Sequence, residues 1–350
     1  MATNCVGLDI GSSSIKILQV KQTSKGIRLL DFGIEPLPAQ TIVDGSIMDQ
    51  SSVVDAIQKL RTTLAIRNNR VATAISGHSV IIKKIQVPPM SPEELADQLP
   101  FEAEQHIPFR KDEVEIDYQL VNARNAQGQM ELLLVAAKKE VIADYSQVIR
   151  DAKMAPTVMD VTAFTVQNAY EVNYDDTPTE SVALINIGAA ISNINVISEG
   201  SSSFTRDVTV GGGAFTEEIQ KRANVSHEEA ETFKLAFCDG VTDGMPKGIE
   251  AIINEVADSV AGKLQRTIDF FLAAAPDATL SRIYLSGGSA RVPALQRLLQ
   301  EKARVPVEIL DPFRRLIIDE SKFDMDFIRA HAAEAAVVVG LALRRPKDHG

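Results

Sequence analysis

Asp9, Gly11, Ser12, Ser13, Ser14 and Lys16 lie within one short stretch of the 350-residue chain, and together they suit phosphate chemistry. Val6, Leu8 and Ile10 alternate with Gly7 and Asp9, the period of a strand. Ile15, Ile17 and Val20 carry a second apolar run after the Gly-Ser-Ser-Ser break, so the pattern predicts a strand, a tight turn and an antiparallel return strand. Gly11 can take the positive φ of such a turn and lets a ligand approach the backbone. Successive turn amides flanked by hydroxyls form a concave anion site. Asp9, at the strand end, is placed to hold Mg²⁺ through water, and Lys16 adds a positive charge at the same turn.

The pattern returns in Ala183 to Val196. Asn186 falls where Asp9 fell, Ile187 on Ile10 and Gly188 on Gly11. Two equivalent units imply a duplicated domain whose turns face one cleft. A third glycine element, Ile283 to Arg291, reads as a strand, the Ser286-Gly287-Gly288-Ser289 turn and a helix from Val292 to about Ala303. That order brings helix amides near an anion.

These three elements, in this order, resemble the actin, Hsp70 and sugar-kinase superfamily. The resemblance implies an α/β, actin-like ATPase fold with two duplicated lobes around a nucleotide cleft, and ATP with Mg²⁺ as its ligands. It places the β-phosphate at the first hairpin, the γ-phosphate at Asn186 and Gly188, and the adenosine at Gly287, Gly288 and Ser289. Gly211 and Gly212, opening a helix near 214, join that set. Glu231 and Lys234, three apart on one helix face, read either as a surface ion pair or, as the resemblance implies, as ribose contacts. Asn186 stands where many members of the superfamily carry Asp. Asn keeps a carbonyl oxygen but cannot act as a general base, so ATP binding is expected and fast hydrolysis is not.

The intervening chain must position these turns. Ile27–Ile34, Val71–Ile75 and Val80–Val87 read as strands, and Ser52–Leu64 as a helix capped by Ser51 or Ser52. Pro88 to Pro92 marks a boundary. Residues 88–152 are expected to form a small inserted α/β unit: a helix begun at Ser91-Pro92-Glu93-Glu94, a hairpin of Asp117–Asn122 with Met130–Ala137, and a helix Lys139–Ala152. The lobes are then 1–87 with 153–178, and 179–213 with 276–350, with a helical adenosine-side block at 214–275. Phe164–Val172 closes the first half as a helix, 174–180 is a linker, Ile249 to Phe271 marks a long amphipathic helix, and Ala332–Leu343 a buried one.

The insertion narrows the resemblance. Leu99-Pro100-Phe101-Glu102-Ala103-Glu104-Gln105-His106-Ile107-Pro108-Phe109, Asp117-Tyr118-Gln119 and Ser203-Phe204-Thr205-Arg206-Asp207 are similar to the PilM family, FtsA-like proteins of type IV pilus assembly. That implies a cytoplasmic scaffold, peripheral on the inner membrane, that docks the N-terminal cytoplasmic tail of a PilN-like inner-membrane protein. It extends to homo-oligomers or rings and to contact with pilus motor ATPases. A polymerising cell-division protein and a small-molecule kinase are the alternatives.

Composition narrows the classes further. A net charge of −11 argues against a nucleic-acid binder, and 45% hydrophobic with 24% charged residues is a globular balance. Cys5 and Cys238 offer no disulfide framework. No signal-peptide pattern precedes Cys5, and the run Ala335–Leu343 is far short of the ~20 residues of a membrane span. The charged 344–350 tail has no apolar face for membrane insertion. His78 and His106 have no catalytic or metal-ligand spacing around them and read as ordinary polar residues. Asp112, Glu113 and Glu115 read as a solvated face.

Overall fold

A computed structural model describes residues 4–125, 127–175, 181–241, 243–275 and 278–346. Two five-stranded sheets organise it. The first half contributes β1 (Val6–Ile10), β2 (Ser14–Thr23), β3 (Gly26–Pro36), the short pair β4 (Ile42–Val43) and β5 (Ser46–Ile47), α1 (Gln50–Thr63) and β6 (Arg70–Ile75). It continues with β7 (Val80–Val87), α2 (Pro92–Glu104), β8 (Val114–Asn122), β9 (Met130–Lys138), α3 (Lys139–Asp151), β10 (Ala155–Val161) and α4 (Thr162–Asn173). The second half holds β11 (Ser181–Ile187), β12 (Ser192–Ser198), β13 (Ser201–Val208), α5 (Gly213–Ala223), α6 (His227–Cys238) and α7 (Ile249–Ala274). After it come β14 (Leu280–Ser286), a 3-10 turn Gly288–Arg291, α8 (Pro293–Ala303), β15 (Val307–Ile309), α9 (Met325–His331), a second 3-10 turn Ala333–Ala335 and α10 (Ala336–Leu343).

The duplication is visible in the strand order. One sheet runs β3-β2-β1-β6-β10 and the other β13-β12-β11-β14-β15. In each, a three-stranded antiparallel meander meets two parallel strands along the first strand of its hairpin. The buried strands β11 and β12 are apolar on one face, with Ile185, Ile187, Ile194 and Val196 packed on Ile252, Ile253 and Val256 of α7. The helical block expected at 214–275 therefore shares one continuous apolar core with the second sheet.

Local chemistry sets the helix starts. Ser91 and Ser226 form full capping boxes with Glu94 and Glu229. The cap of α1 is Asp49 rather than Ser51 or Ser52: its carboxylate accepts the Ser52 amide, and both serine hydroxyls donate to it. A carboxylate with two oxygens gathers three donors where a hydroxyl serves one, and these bonds hold the Asp49 carboxyl down to about 2.

The inserted unit has different edges from those the Pro-rich break implies. Val80–Val87 pairs along its length with β9, so the small sheet is β7-β9-β8. Leu95, Leu99 and Ala103 of α2 cover it, packed on Ile85, Val87, Leu132 and Leu134. In contrast α3 buries Val141, Tyr145, Val148 and Ile149 among Val6, Leu8 and Ile57 of the first lobe. Strand β10 extends the first sheet beside β6, a strand that the sequence pattern does not announce because Pro156 and Asp160 interrupt it. The late helix is split, with a 3-10 turn before α10, and α9 precedes it. The expected linker at 174–180 lies outside the described residues from 176 onward, as does the tail from 347.

Candidate functional site

Both hairpins close by the same bond. The Gly11 amide donates to Ser14 O at 3.1 Å, and the Gly188 amide to Ile191 O at 3.0 Å. Gly11 does not adopt the positive φ expected of it. Glycine fits there because a Cβ would stand 3.2 Å from Ser14 O, and at Gly188 the same atom would come within 2.9 Å of Ile191 O. The amides of Ser12, Ser13, Ala189 and Ala190, at the tips of the turns, make no hydrogen bond among the described residues. Four unpaired N–H groups on two equivalent tips make a concave donor surface for an anion.

The β1–β2 register puts Lys16 opposite Asp9. Lys16 Nζ lies 3.2 Å from the Asp9 carboxylate and donates to Ser14 Oγ at 3.1 Å. Ser14 is thus a buried strand residue that orients Lys16, while Ser12 and Ser13 form the turn. No cluster of three or more metal-ligating side chains occurs among the described residues. A divalent ion here would meet Asp9 as a single carboxylate and take its other ligands from water and phosphate, which is how Mg²⁺ is commonly held.

The second hairpin and the late glycine turn meet. Gly287, at φ +86°, places its α-carbon against the Ile187 backbone, where a Cβ would lie 2.4 Å from Ile187 O. Ser289 Oγ donates to Gly188 O at 3.1 Å. The Gly212 and Gly213 amides donate to Gly188 O and Ala189 O, so they brace the turn rather than point to a ligand. Gly211 and Gly212 are glycine for space: a Cβ on Gly211 would stand 2.4 Å from Gly188 O, and one on Gly212 the same distance from Ser289 Oγ. Gly288 differs, since a Cβ there would meet only Glu334 Oε2, at 3.9 Å. Its face is open.

Glu231 and Lys234 join the same assembly. Lys234 Nζ lies 2.6 Å from Glu231 Oε2 and 3.1 Å from Thr216 Oγ1, which itself donates to Glu231 at 2.6 Å. Lys234 also reaches Gly212 O at 3.5 Å. The lysine is buried while the glutamate side chain is 35% exposed, so the pair is part-buried within this assembly rather than a solvated surface ion pair.

The cleft holds further contacts that the sequence motifs do not announce. Asp207, on β13, accepts from Asn193 Nδ2 at 2.7 Å and from the Gly77 amide of the first lobe at 2.5 Å. Asn193 Oδ1 in turn accepts from Asn186 Nδ2 at 3.1 Å, and Asn186 Oδ1 from Ser286 at 3.4 Å. Burial pushes the Asp207 carboxyl up, against its hydrogen bonds from Asn193 and Gly77 and the charge of nearby His78. Beside it, His78 Nε2 contacts Thr209 Oγ1 at 3.2 Å, so this histidine, an ordinary polar residue by its sequence, spans the lobes. Glu334 pairs with His331 on the other side of the cleft, and the Gly287 amide donates to Ala333 O at 2.7 Å. Arg291, paired with Asp239, completes that side. The contacts of Asp207 with Gly77, of His78 with Thr209 and of Arg291 with Asp239 join positions far apart in sequence, so no spacing announces them. No helix among the described residues is long and apolar enough to cross a membrane.

Comparison with known proteins agrees with this architecture. The chain is similar over 88% of its length, at 22% identity, to the cell division protein FtsA of Pseudomonas aeruginosa strain PAO1, 83% of which is covered. It superposes with a TM-score of 0.87 on a chain of a PilM–PilN type IV pilus biogenesis complex, at 26% identity and 98% coverage of both. With a TM-score of 0.50 it matches MreB5 of Spiroplasma citri bound to ADP, at 13% identity over 97% of this chain and 94% of that one. The fold is the actin-like ATPase fold. The model of the type IV pilus assembly protein PilM matches residues 7–346, nearly the whole chain, and the chain belongs to the PilM family.

Proposed function

We propose that this chain is an ATP-binding scaffold of type IV pilus assembly that docks the cytoplasmic tail of a PilN-like inner-membrane protein. Nucleotide serves it as a conformational ligand, able to shift lobe closure only by its differential affinity for the two states. The observation that carries the reading is the convergence of the second hairpin, the Gly287-Gly288 turn and the Glu231–Lys234 pair on one assembly, bonded through Ser289 and Gly212. The unpaired tip amides of Ser12, Ser13, Ala189 and Ala190, with Lys16, would take the phosphates. The open face of Gly288 would take the nucleoside, with Glu231 toward the ribose. Asp9 would hold Mg²⁺ through water. Asn186 supplies no base, so turnover is slow and occupancy sets the shape seen by partners. The tail would dock in a groove beside the small β7-β9-β8 sheet; the likeness to a chain of a PilM–PilN complex supports a partner of that kind.

The test is equilibrium binding of ATP with Mg²⁺ to the parent and to Gly288→Val. Gly288 is exposed and a Cβ there meets no atom closer than 3.9 Å, so the backbone has room for a side chain, and valine would project into the ligand space. We expect a loss of tenfold or more, roughly what a steric conflict with a bound ring costs. Parent-like affinity in the variant would overturn the placement of the nucleoside.

A further inference from the structure

The cleft's cations are already matched. Lys16 is held by Asp9 at 3.2 Å and Lys234 by Glu231 at 2.6 Å, while Arg291 is paired with Asp239 and His331 with Glu334. Both lysines are nearly enclosed, with 9% and 11% of their side chains exposed, while Asp9 and Glu231 keep 18% and 35% exposure. Glu334 is the exception in kind, because its partner is a histidine, charged only when protonated. Its Oε2 is the one atom within 4 Å of the open face of Gly288. Burial raises its carboxyl, but the His331 bond and the charges of Lys16 and Arg291 more than reverse that, so the carboxylate is ionised.

We propose that Glu334 is a built-in counter-anion of the cleft, which rejects metal-free polyphosphate and admits nucleotide only when a divalent cation offsets its charge. This rests on the reading of the cleft as a nucleotide site. A polyphosphate entering alone finds Lys16, Lys234 and Arg291 each already paired with a carboxylate among the described residues, and the ionised Glu334 beside the open face of Gly288 adds a further negative charge to the cleft. A metal–nucleotide complex brings its own compensation. Glu334 acts here as a specificity-determining residue, since the repulsion scales with ligand charge and vanishes for an uncharged nucleoside. Unit charges several ångström apart at an effective dielectric of about 20 change affinity by about tenfold or more.

The experiment is calorimetric titration of the purified full chain with ATP plus Mg²⁺, ATP plus EDTA, and adenosine, for the parent and Glu334→Gln. Glu334→Gln should tighten metal-free ATP by about tenfold or more, Mg²⁺–ATP by less, and adenosine not at all. Glu334→Asp, which keeps the charge, should leave metal-free ATP as weakly bound as in the parent and adenosine unchanged, which gives a second reading if the first variant folds poorly; tightening of metal-free ATP in Glu334→Asp would count against the charge argument. Equal tightening for all three ligands, no change for any, or weakened adenosine binding in Glu334→Gln would overturn the inference; the last would make Glu334 a nucleoside contact. A parent that binds none of the three ligands would instead overturn the nucleotide reading itself, and this inference with it.

Discussion

Asn193 is the residue through which the second hairpin is fixed. Its amide gives its N–H to Asp207 and its oxygen to the N–H of Asn186, so the orientation of one amide sets the other. An aspartate at 186 would face Asn193 Oδ1 with an oxygen where a donor is needed. Asn193 cannot turn without breaking its bond to Asp207. Asn186→Asp should therefore cost about 3 kcal/mol at pH 8, as an unpaired buried charge does, and less at pH 5, where a protonated carboxyl regains a donor. Urea denaturation at the two pH values checks it, and an undiminished loss at pH 5 would count against the donor argument. Restoring the carboxylate of other superfamily members thus needs Asn193 and Asp207 to change as well. Asp207 yields a second expectation. Its native pKa is raised by burial, so between the ordinary carboxylate range and that raised value the native state holds a proton the unfolded chain has shed. Stability falls as pH rises through this window. Asp207→Asn removes the titration but loses an accepted bond, so the variant should be the less stable at pH 5 and draw closer to the parent by pH 8, as read from the difference of their unfolding free energies. A difference that stays constant would mean that Asp207 does not titrate there. The importance of position 186 was legible from its alignment with Asp9, a local repeat. Asp207 stood only at the end of a run similar to the PilM family; its role was not legible, because it depends on Gly77, which is remote in sequence and near only in the fold.

At the scale of elements, hairpins and capped helices were the legible parts, since alternation and caps are short-range signals. The edges of the inserted unit were not. Val80–Val87 has the composition of any half-buried strand, and nothing in it says that its partner is β9 rather than β6. Helix α3 is amphipathic in either assignment; only the tertiary structure shows that it faces the first lobe. This distinction can be tested by excision. Lys138 N donates to Ser79 O at 3.0 Å, so the two ends of the small unit are adjacent and a two-glycine link can replace 80–137. That excised chain should keep a cooperative thermal transition and ATP binding while losing the membrane-protein tail. Removing 88–152 instead strips Val141, Tyr145, Val148 and Ile149 from the first-lobe core. At about 2–5 kcal/mol for each large buried side chain, that loss matches or exceeds the whole stability of a domain, about 5–15 kcal/mol, and the chain should not fold. If both deletions fold equally well, α3 is not part of the lobe.

The whole molecule is held together by close backbone layering at its centre. Helix α10 lies between β1 on one side and α4 on the other. A Cβ on Gly7 of β1 would fall 2.5 Å from Val338 O, and one on Gly340 of α10 would fall 1.8 Å from Thr165 O of α4. Both glycines are there because two backbones meet with no room for a methyl group. This layer joins the lobes, since α4 packs against β11 and β12 as well as β6 and β10, and Asn195 of β12 donates to Gln167 and Ala163 of α4. The sequence showed α10 as an apolar run and rightly gave it a buried place, but nothing in it singled out Gly340. What distinguishes it is its neighbour. The same substitution at two helical glycines should therefore have opposite signs. At Gly262 of α7 a Cβ would meet only the flexible end of Arg266, at 3.8 Å, so Gly262→Ala removes backbone freedom from the unfolded chain and should stabilise by about 0.5–1 kcal/mol. At Gly340 the added carbon meets the carbonyl of Thr165, which cannot move without carrying α4 and both sheets with it. Gly340→Ala should then destabilise by about 3 kcal/mol or more, at the upper end of overpacking costs. Equilibrium denaturation of the two variants beside the parent decides the matter. A Gly340→Ala chain as stable as Gly262→Ala would mean that α4 and α10 can part freely, and that the lobes are not joined by this layer.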